Sequence, residues 1–255
     1  MSDRVLRVEV DGRAVSDDQL RHLALHSYGH FTAMQVRGGA VRGLDLHLAR
    51  LTTANQDMFG ATLDPDRVRA HLRHALDDLA DASARTMVVL AADDTPAVLV
   101  TVRPPAGMSS APLSLRSVPY LRPLPHLKQI GGGFGQVYYR RLAARDGFDE
   151  ALLTGQDGVI AEGGITNVGF FDGAGVVWPD APALSGITMQ LLERDVPSRR
   201  STVRLADLPA FDGVFVTSSR GIAAVDRIDD LRVPVVTDRM KALSEAYEAV
   251  PWDRL

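Results

Sequence analysis

The chain has 255 residues, 45% of them apolar, which suits one large domain or two modest ones and excludes a disordered or fibrous protein. Its 28 basic and 32 acidic residues leave a formal net charge of -4, which gives no reason to expect nucleic acid or an anionic membrane as partner. No cysteine is present, so disulfides, thiolate catalysis and cysteine-ligated zinc or iron–sulfur centres are excluded.

The opening stretch MSDRVLRVEVDG has no apolar signal core, and no apolar run approaches the roughly 18 residues of a membrane span, so the expectation is a soluble, cytoplasmic protein. RVLRVEVDGRAV reads as two strands joined by a turn at Asp11-Gly12. SDDQLRHLALH opens a short helix capped by Ser16. FTAMQVRGGAVRG is a hairpin turning at Gly38-Gly39. LDLHLARLTTANQDMFG is helical in period, with Leu44, Leu48 and Leu51 on one face. DPDRVRAHLRHALDDLADA is a second amphipathic helix, with Asp64 and Pro65 at its start. RTMVVLAA and AVLVTVRPP are strands.

The composition then changes. Residues 105–127 are rich in proline and serine and read as an extended connector between halves. Beyond it come a glycine segment, the helix GQVYYRRLAARDG, the strand FDEALLTG, a turn at Asp157-Gly158 and a strand around VIAEG. NVGFFDGAGVVWP is a hairpin-like pair, SGITMQLLERDV starts a helix after Gly186, VRLADLPAFDGVFVTSSRG holds another strand, and TDRMKALSEAYEAVPWD is the last helix. Strands and helices are mixed, without the regular alternation of a doubly wound sheet. The fold class expected is α+β, in two lobes, 1–118 and 119–255, meeting at a cleft.

Four features carry chemistry. In PHLKQIGGGFGQVYY, Lys128 is one of only two lysines, with Lys241, and stands three residues before a triple glycine. It is a surface charge, a phosphate-holding lysine or a reacting amine. A Walker A loop needs its lysine last, followed by Ser or Thr, and the dinucleotide fingerprint fails because Gln136 stands where the last glycine belongs. The glycines fit a chain turn or a planar ligand close to the lysine. In DGVIAEGGITNVGFFDG, Glu162 is either a structural acid or one able to hold a proton on a heteroaromatic nitrogen. SGIT (185–188) lies at a helix start and TSSRG (217–221) at a strand end. Each is an N-cap or loop, or else an anion nest. Arg50 in HLARL is a solvated arginine or a phosphate ligand; an arginine, a helix start and a hydroxyl turn together suffice to hold one phosphate group. The seven histidines form no recognised metal-ligand arrangement, and no GxSxG elbow occurs, so no metal site is expected.

Taken in order, SYGHFTAMQV, HLARL, LKQ, GFDEAL, AEGGITNVGFF, SGIT and VFVTSSRGIAAV resemble the motifs of the class IV (fold type IV) pyridoxal-phosphate aminotransferases over roughly residues 25–235. That family includes branched-chain and D-amino-acid aminotransferases and 4-amino-4-deoxychorismate lyase. The resemblance implies a two-lobed fold with pyridoxal 5'-phosphate in the cleft. Lys128 matches the Schiff-base lysine, Arg50 the phosphate-gripping arginine and Glu162 the acid against the pyridine nitrogen. Ile187 and Thr188 match backbone donors to the phosphate, and Ser218 and Ser219 match further phosphate ligands. Phe31 and Arg103 are the residues expected at the substrate wall.

The resemblance further implies a transaminase that takes an amino group from an amino acid or amine and gives it to a 2-keto acid, acting as a homodimer. A lyase of the aminodeoxychorismate type and a catalytically degenerate homologue are the alternative readings. The sequence departs from the family pattern at Thr32, where glutamate is usual, at Met189, where arginine is common, and at Ala224, where proline is frequent. The glycine run after Lys128 is also one residue longer than in some relatives.

Overall fold

The computed structural model describes residues 4–130 and 133–255. The chain divides into two compact units, neither continuous in sequence. Unit 1 comprises the residues through Ala106, a short segment beginning at Leu127, and Pro251–Leu255. Unit 2 comprises Gly107–His126 and the remainder up to Val250. The cut expected at 118/119 falls inside a strand of unit 2, and the segment carrying Lys128 counts with the N-terminal part. Among the described residues no helix is long and apolar enough to cross a membrane.

Unit 1 begins with strands β1 (Arg7–Val10) and β2 (Arg13–Ala14), then helix α1 (Asp17–Leu25). Ser16 caps α1 through a capping box with Gln19, satisfying two backbone N–H groups reciprocally. β3 (Gly29–Val36) and β4 (Ala40–Arg42) flank Gly38 and Gly39, whose φ values of 56° and 69° are the left-handed pair a tight hairpin requires. Helix α2 (Leu44–Phe59) follows, then α3 (Pro65–Leu76) with Asp64 as N-cap and Pro65 in its first turn.

β5 (Ala82–Leu90) and β6 (Pro96–Arg103) are the long central strands. The sheet runs β2-β1-β6-β5-β3, closed at its far edge by a two-residue strand, Gln129–Ile130, paired antiparallel with β3. One face packs Met34, Val36, Ala84, Val88, Val100 and Val102 against Leu44 and Leu51 of α2 and Val68 and Leu72 of α3. The alternation of β3, β5 and β6 is what separates this face from the other.

Unit 2 is built on a larger mixed sheet. The connector expected over 105–127 contains a strand, β7 (Leu113–Pro119), that lies between two parallel neighbours in the middle of that sheet. Pro112 and Pro119 bracket β7 instead of interrupting it, so its interior can join the ladder while Leu115 and Val118 are buried. With Gln129–Ile130 taken as β8, the unit continues through α4 (Phe134–Arg145), β9 (Glu150–Thr154), β10 (Ile160–Gly163), β11 (Asn167–Asp172), β12 (Gly175–Pro179) and α5 (Ile187–Asp195). It ends with β13 (Ser198–Ser201), β14 (Gly213–Ser218), β15 (Gly221–Ile228), β16 (Leu231–Arg232) and α6 (Thr237–Ala249). β17 (Trp252–Arg254) returns to unit 1 and pairs with β4.

Both faces of the larger sheet are covered. Phe170 and Val214 belong to one apolar cluster, while their chain neighbours Phe171 and Phe215 pack with Met189 and Leu192 of α5 and Leu243 of α6. Burial on both sides explains why VGFF (168–171) is a continuous apolar run without polar alternation.

Candidate active site

The candidate residues fall into two groups, one in each unit. In unit 1, β8 pairs with the start of β3, His30 opposite Gln129, and the Phe31 N–H donates to the Lys128 carbonyl at 2.9 Å. That backbone link fixes the lysine beside Phe31, and its Nζ lies 5.0 Å from the centre of the Phe31 ring. Arg50 is on α2, one turn after His47. His47 is buried and shares a 2.6 Å hydrogen bond between its Nδ1 and Thr32 Oγ1. Burial lowers the His47 pKa to about 3, and the positive charges of Arg50 and Lys128 push it the same way. His47 is therefore a neutral imidazole within electrostatic reach of two cations, and its hydrogen bond with Thr32 holds its orientation.

Thr32 stands where the family pattern has glutamate. The structure gives a physical reading of that change: a neutral hydroxyl partners a neutral histidine, where a carboxylate would draw a proton onto it. His30, two residues before Thr32, is likewise buried, and burial lowers its pKa to about 4. Phe31 is half-buried and Arg103, at the end of β6, is exposed on the same sheet. Gly131 and Gly132, two of the three glycines read as room beside the lysine, lie outside the described residues.

In unit 2, Glu162 sits on β10 just after a register shift against β9 between Ile160 and Glu162, an irregularity of the kind that re-aims a side chain. It is buried and accepts a 2.7 Å hydrogen bond from Arg122 Nε, itself buried. Its other oxygen accepts from the Leu184 N–H at 3.1 Å. Arg122 also donates through Nη2 to the Pro125 carbonyl at 2.5 Å. One arginine thus fixes the acid and pins the turn leading toward Lys128. That turn contains Leu124 at φ 48°, a left-handed conformation costing a leucine about 1–2 kcal/mol.

The two anion-nest segments are brought together. Thr188 Oγ1, in the first turn of α5, donates to the Ser218 carbonyl at the end of β14, 2.7 Å away. Asn167 Nδ2 donates to the Leu184 carbonyl at 2.7 Å and so shapes the approach to α5. A Cβ on Gly186 would lie 1.9 Å from Asn167 Oδ1, so this position has room only for glycine. Ile187 starts α5, where backbone N–H groups lack partners inside the helix. Ser218 Oγ accepts from the Arg220 N–H at 3.2 Å, and Ser219 follows in the same turn, partly exposed.

Sequence reasoning missed Arg122 and His47 as members of these groups. His47 was legible as the residue one turn before Arg50 in HLARL. For Arg122 the signal was an arginine inside the apolar, proline-rich run PYLRPLPHL, and only the fold supplies its partner. Among the described residues, no cluster of three or more His, Asp or Glu is suited to a metal ion.

A model of the family described as amino-transferase class IV matches residues 29–228. The match spans most of the chain, and the protein belongs to this family of aminotransferase enzymes. Comparison with curated protein sequences finds no match. Among solved structures, the PLP-bound form of a hypothetical aminotransferase from Mycobacterium tuberculosis is similar with a TM-score of 0.80 at 21% identity, over 97% of this chain and 98% of that one. The branched-chain amino acid aminotransferase of Escherichia coli gives a TM-score of 0.83 at 17% identity, over 97% and 94%. The branched-chain aminotransferase of the archaeon Thermoproteus uzoniensis, solved with norvaline, gives 0.81 at 17%, over 96% and 94%. At these identities the likeness establishes the α+β fold of class IV aminotransferases.

Proposed function

We propose that the protein is a pyridoxal-5'-phosphate-dependent transaminase in which Lys128 is the catalytic amine. The observation that carries this reading is the placement of Lys128: a backbone bond to Phe31 fixes it, and its charge and that of Arg50 bear on the same neutral His47. The residues present fit the cofactor. Its phosphate needs a guanidinium and backbone or hydroxyl donors; the first is the role we assign to Arg50 on α2, and the second the role we assign to Ile187 and Thr188 at the start of α5 and to Ser218 and Ser219. Its ring nitrogen needs a buried carboxylate, which Glu162 supplies. A carboxylate accepts up to about four hydrogen bonds, so its bonds to Arg122 and Leu184 are compatible with a further donor.

When bound, the cofactor supplies the electron sink for the substrate carbon bearing the amino group. Lys128 Nζ removes the proton from that carbon and later delivers it, as general base and then general acid. Neutral His47 leaves the positive charge of Arg50 undivided for the phosphate. Phe31 presents an apolar ring to the substrate, and Arg103 a guanidinium to its carboxylate. The amino donor is an amino acid or amine and the acceptor a 2-keto acid. Relatives of this fold include branched-chain aminotransferases, so aliphatic amino acids are the first donors to assay. The expected assembly is a homodimer, and the exposed apolar side chains Phe134, Val137 and Tyr138 on α4 offer a surface for a second subunit to cover.

The test is the visible spectrum of the protein purified with pyridoxal phosphate. A lysine-dependent absorption band is expected, absent in Lys128→Ala, and borohydride reduction should leave a label on the Lys128 peptide. A protein that stays colourless with added pyridoxal phosphate overturns the reading.

A further inference from the structure

The turn that joins β14 to β15 is covered by the segment that enters unit 2. The Met108 N–H donates to the Arg220 carbonyl at 3.0 Å, and a Cβ on Gly221, at the far end of the turn, would lie 3.7 Å from Met108 Cγ. At the near end, Ser218 Oγ donates to Met108 Sδ at 3.4 Å and accepts from the Arg220 N–H at 3.2 Å. Thr188 holds the Ser218 carbonyl from the other side. A serine hydroxyl carries a single proton. Here that proton is committed to the Met108 sulfur, so the hydroxyl reaches a phosphate only by turning away from it. A thioether is a weak acceptor and yields the proton to a charged phosphate oxygen. Met108 is also partly exposed, at the edge of the apolar cluster that includes Ala223 and Val225.

Oxidation of the sulfur reverses that competition. Hydrogen peroxide transfers one oxygen to a thioether: the sulfur gives up two electrons, the O–O bond breaks, an S–O bond forms and the second oxygen leaves as water. The product is a polar sulfoxide whose oxygen is a far stronger acceptor than the sulfur it replaces, and the change is reversible by enzymatic reduction. We propose that Met108 is an oxidation-sensitive modification site that sets the affinity for the cofactor's phosphate: the thioether releases the Ser218 hydroxyl, and the sulfoxide retains it. This rests on the reading of Ser218 and Ser219 as phosphate ligands. The sequence gives no hint of the link, because Met108 stands 110 positions before Ser218 and outside the motifs that carry the resemblance.

The experiment treats the purified protein with hydrogen peroxide and maps the added oxygen by peptide mass. Titrations with pyridoxal phosphate and with pyridoxal, which lacks the phosphate, are then followed at the lysine-dependent absorption band. Oxidation should weaken pyridoxal phosphate about tenfold, the scale of one lost hydrogen bond to a charged group, and should move pyridoxal less than about twofold. A methionine sulfoxide reductase should restore the affinity. Met58, Met87 and Met240 are partly exposed as well, so Met108→Leu should lose the response to peroxide while those three still oxidise. Met108→Gln, which places a polar acceptor beside Ser218, should imitate the oxidised protein without peroxide. A Met108 that resists peroxide, a phosphate-dependent affinity that moves less than about twofold once Met108 is oxidised, or an equal loss for both ligands overturns this proposal alone. An untreated protein with no such band overturns it together with the function on which it rests.

Discussion

The two units assemble their candidate residues by opposite means. Unit 1 gathers cations, Lys128 and Arg50, around a histidine that burial keeps neutral, and ties them by one backbone bond and one helix turn. Unit 2 buries polar groups and compensates them: the charge of Glu162 against Arg122, and the neutral side chains of Thr188 against the Ser218 carbonyl and Asn167 against the Leu184 carbonyl. A half-exposed cation costs the fold little, whereas a buried pair that loses one partner leaves an uncompensated charge. Substitutions in the first group should therefore act mainly on chemistry, and those in the second mainly on folding.

The largest effect tests the first half of that contrast. Lys128→Ala should reduce transamination by about 10³-fold or more, while its thermal midpoint stays close to wild type. A large drop in midpoint would break the contrast. Arg122→Met tests the second half and should destabilise by about 3–5 kcal/mol, because Glu162 is left buried without its partner. Adding Glu162→Gln should recover much of that loss, and denaturant titration of the wild type and the two variants measures it. If Arg122→Met alone is as stable as the wild type, the ion pair contributes nothing to the fold.

The histidines give a pH signature confined to unit 1. His47 and His30 have folded pKa values of about 3 and about 4, below their ordinary 6.5. Between those limits the unfolded chain binds more protons than the folded one, so stability is complete above pH 6.5 and falls as pH drops below it. Each histidine contributes a slope of at most about 1.4 kcal/mol per pH unit. Denaturant titrations from pH 7 to 5 should show this slope, and His47→Gln should flatten it. An imidazole resonance of His47 that titrates near pH 6.5 would overturn the assignment of a neutral ring. The smallest effect belongs to Gly186→Ala, whose methyl group meets Asn167. A loss of about 1–3 kcal/mol is expected from overpacking, read as a lower thermal midpoint.

Much of the element order was legible because it rests on local signals. The capping box at Ser16, the proline start of α3 and the Gly38-Gly39 turn are each written within a few residues and occur as expected. The reading of 105–127 as a connector failed because composition outweighed pattern. The alternation in LSLRSV marks a strand, while the prolines around it suggested a linker, and only the parallel neighbours β9 and β15 show that Pro112 and Pro119 are its ends. β8 and β17 were invisible for a different reason. Strands of two and three residues carry no period and exist through their partners β3 and β4.

The sequence by itself determined the family of this protein, the order of those elements that carry local signals, and the residue types offered to a phosphate, a ring nitrogen and an amino group. These depend on motifs of a few adjacent residues. Tertiary structure alone decided which residues stand together: His47 with Thr32 across 15 positions, Glu162 with Arg122 across 40, and Arg85 with the Phe31 ring that Lys128 also approaches. Such contacts are set by strand register and by the compensation of buried charge, two properties that no local stretch of chain contains.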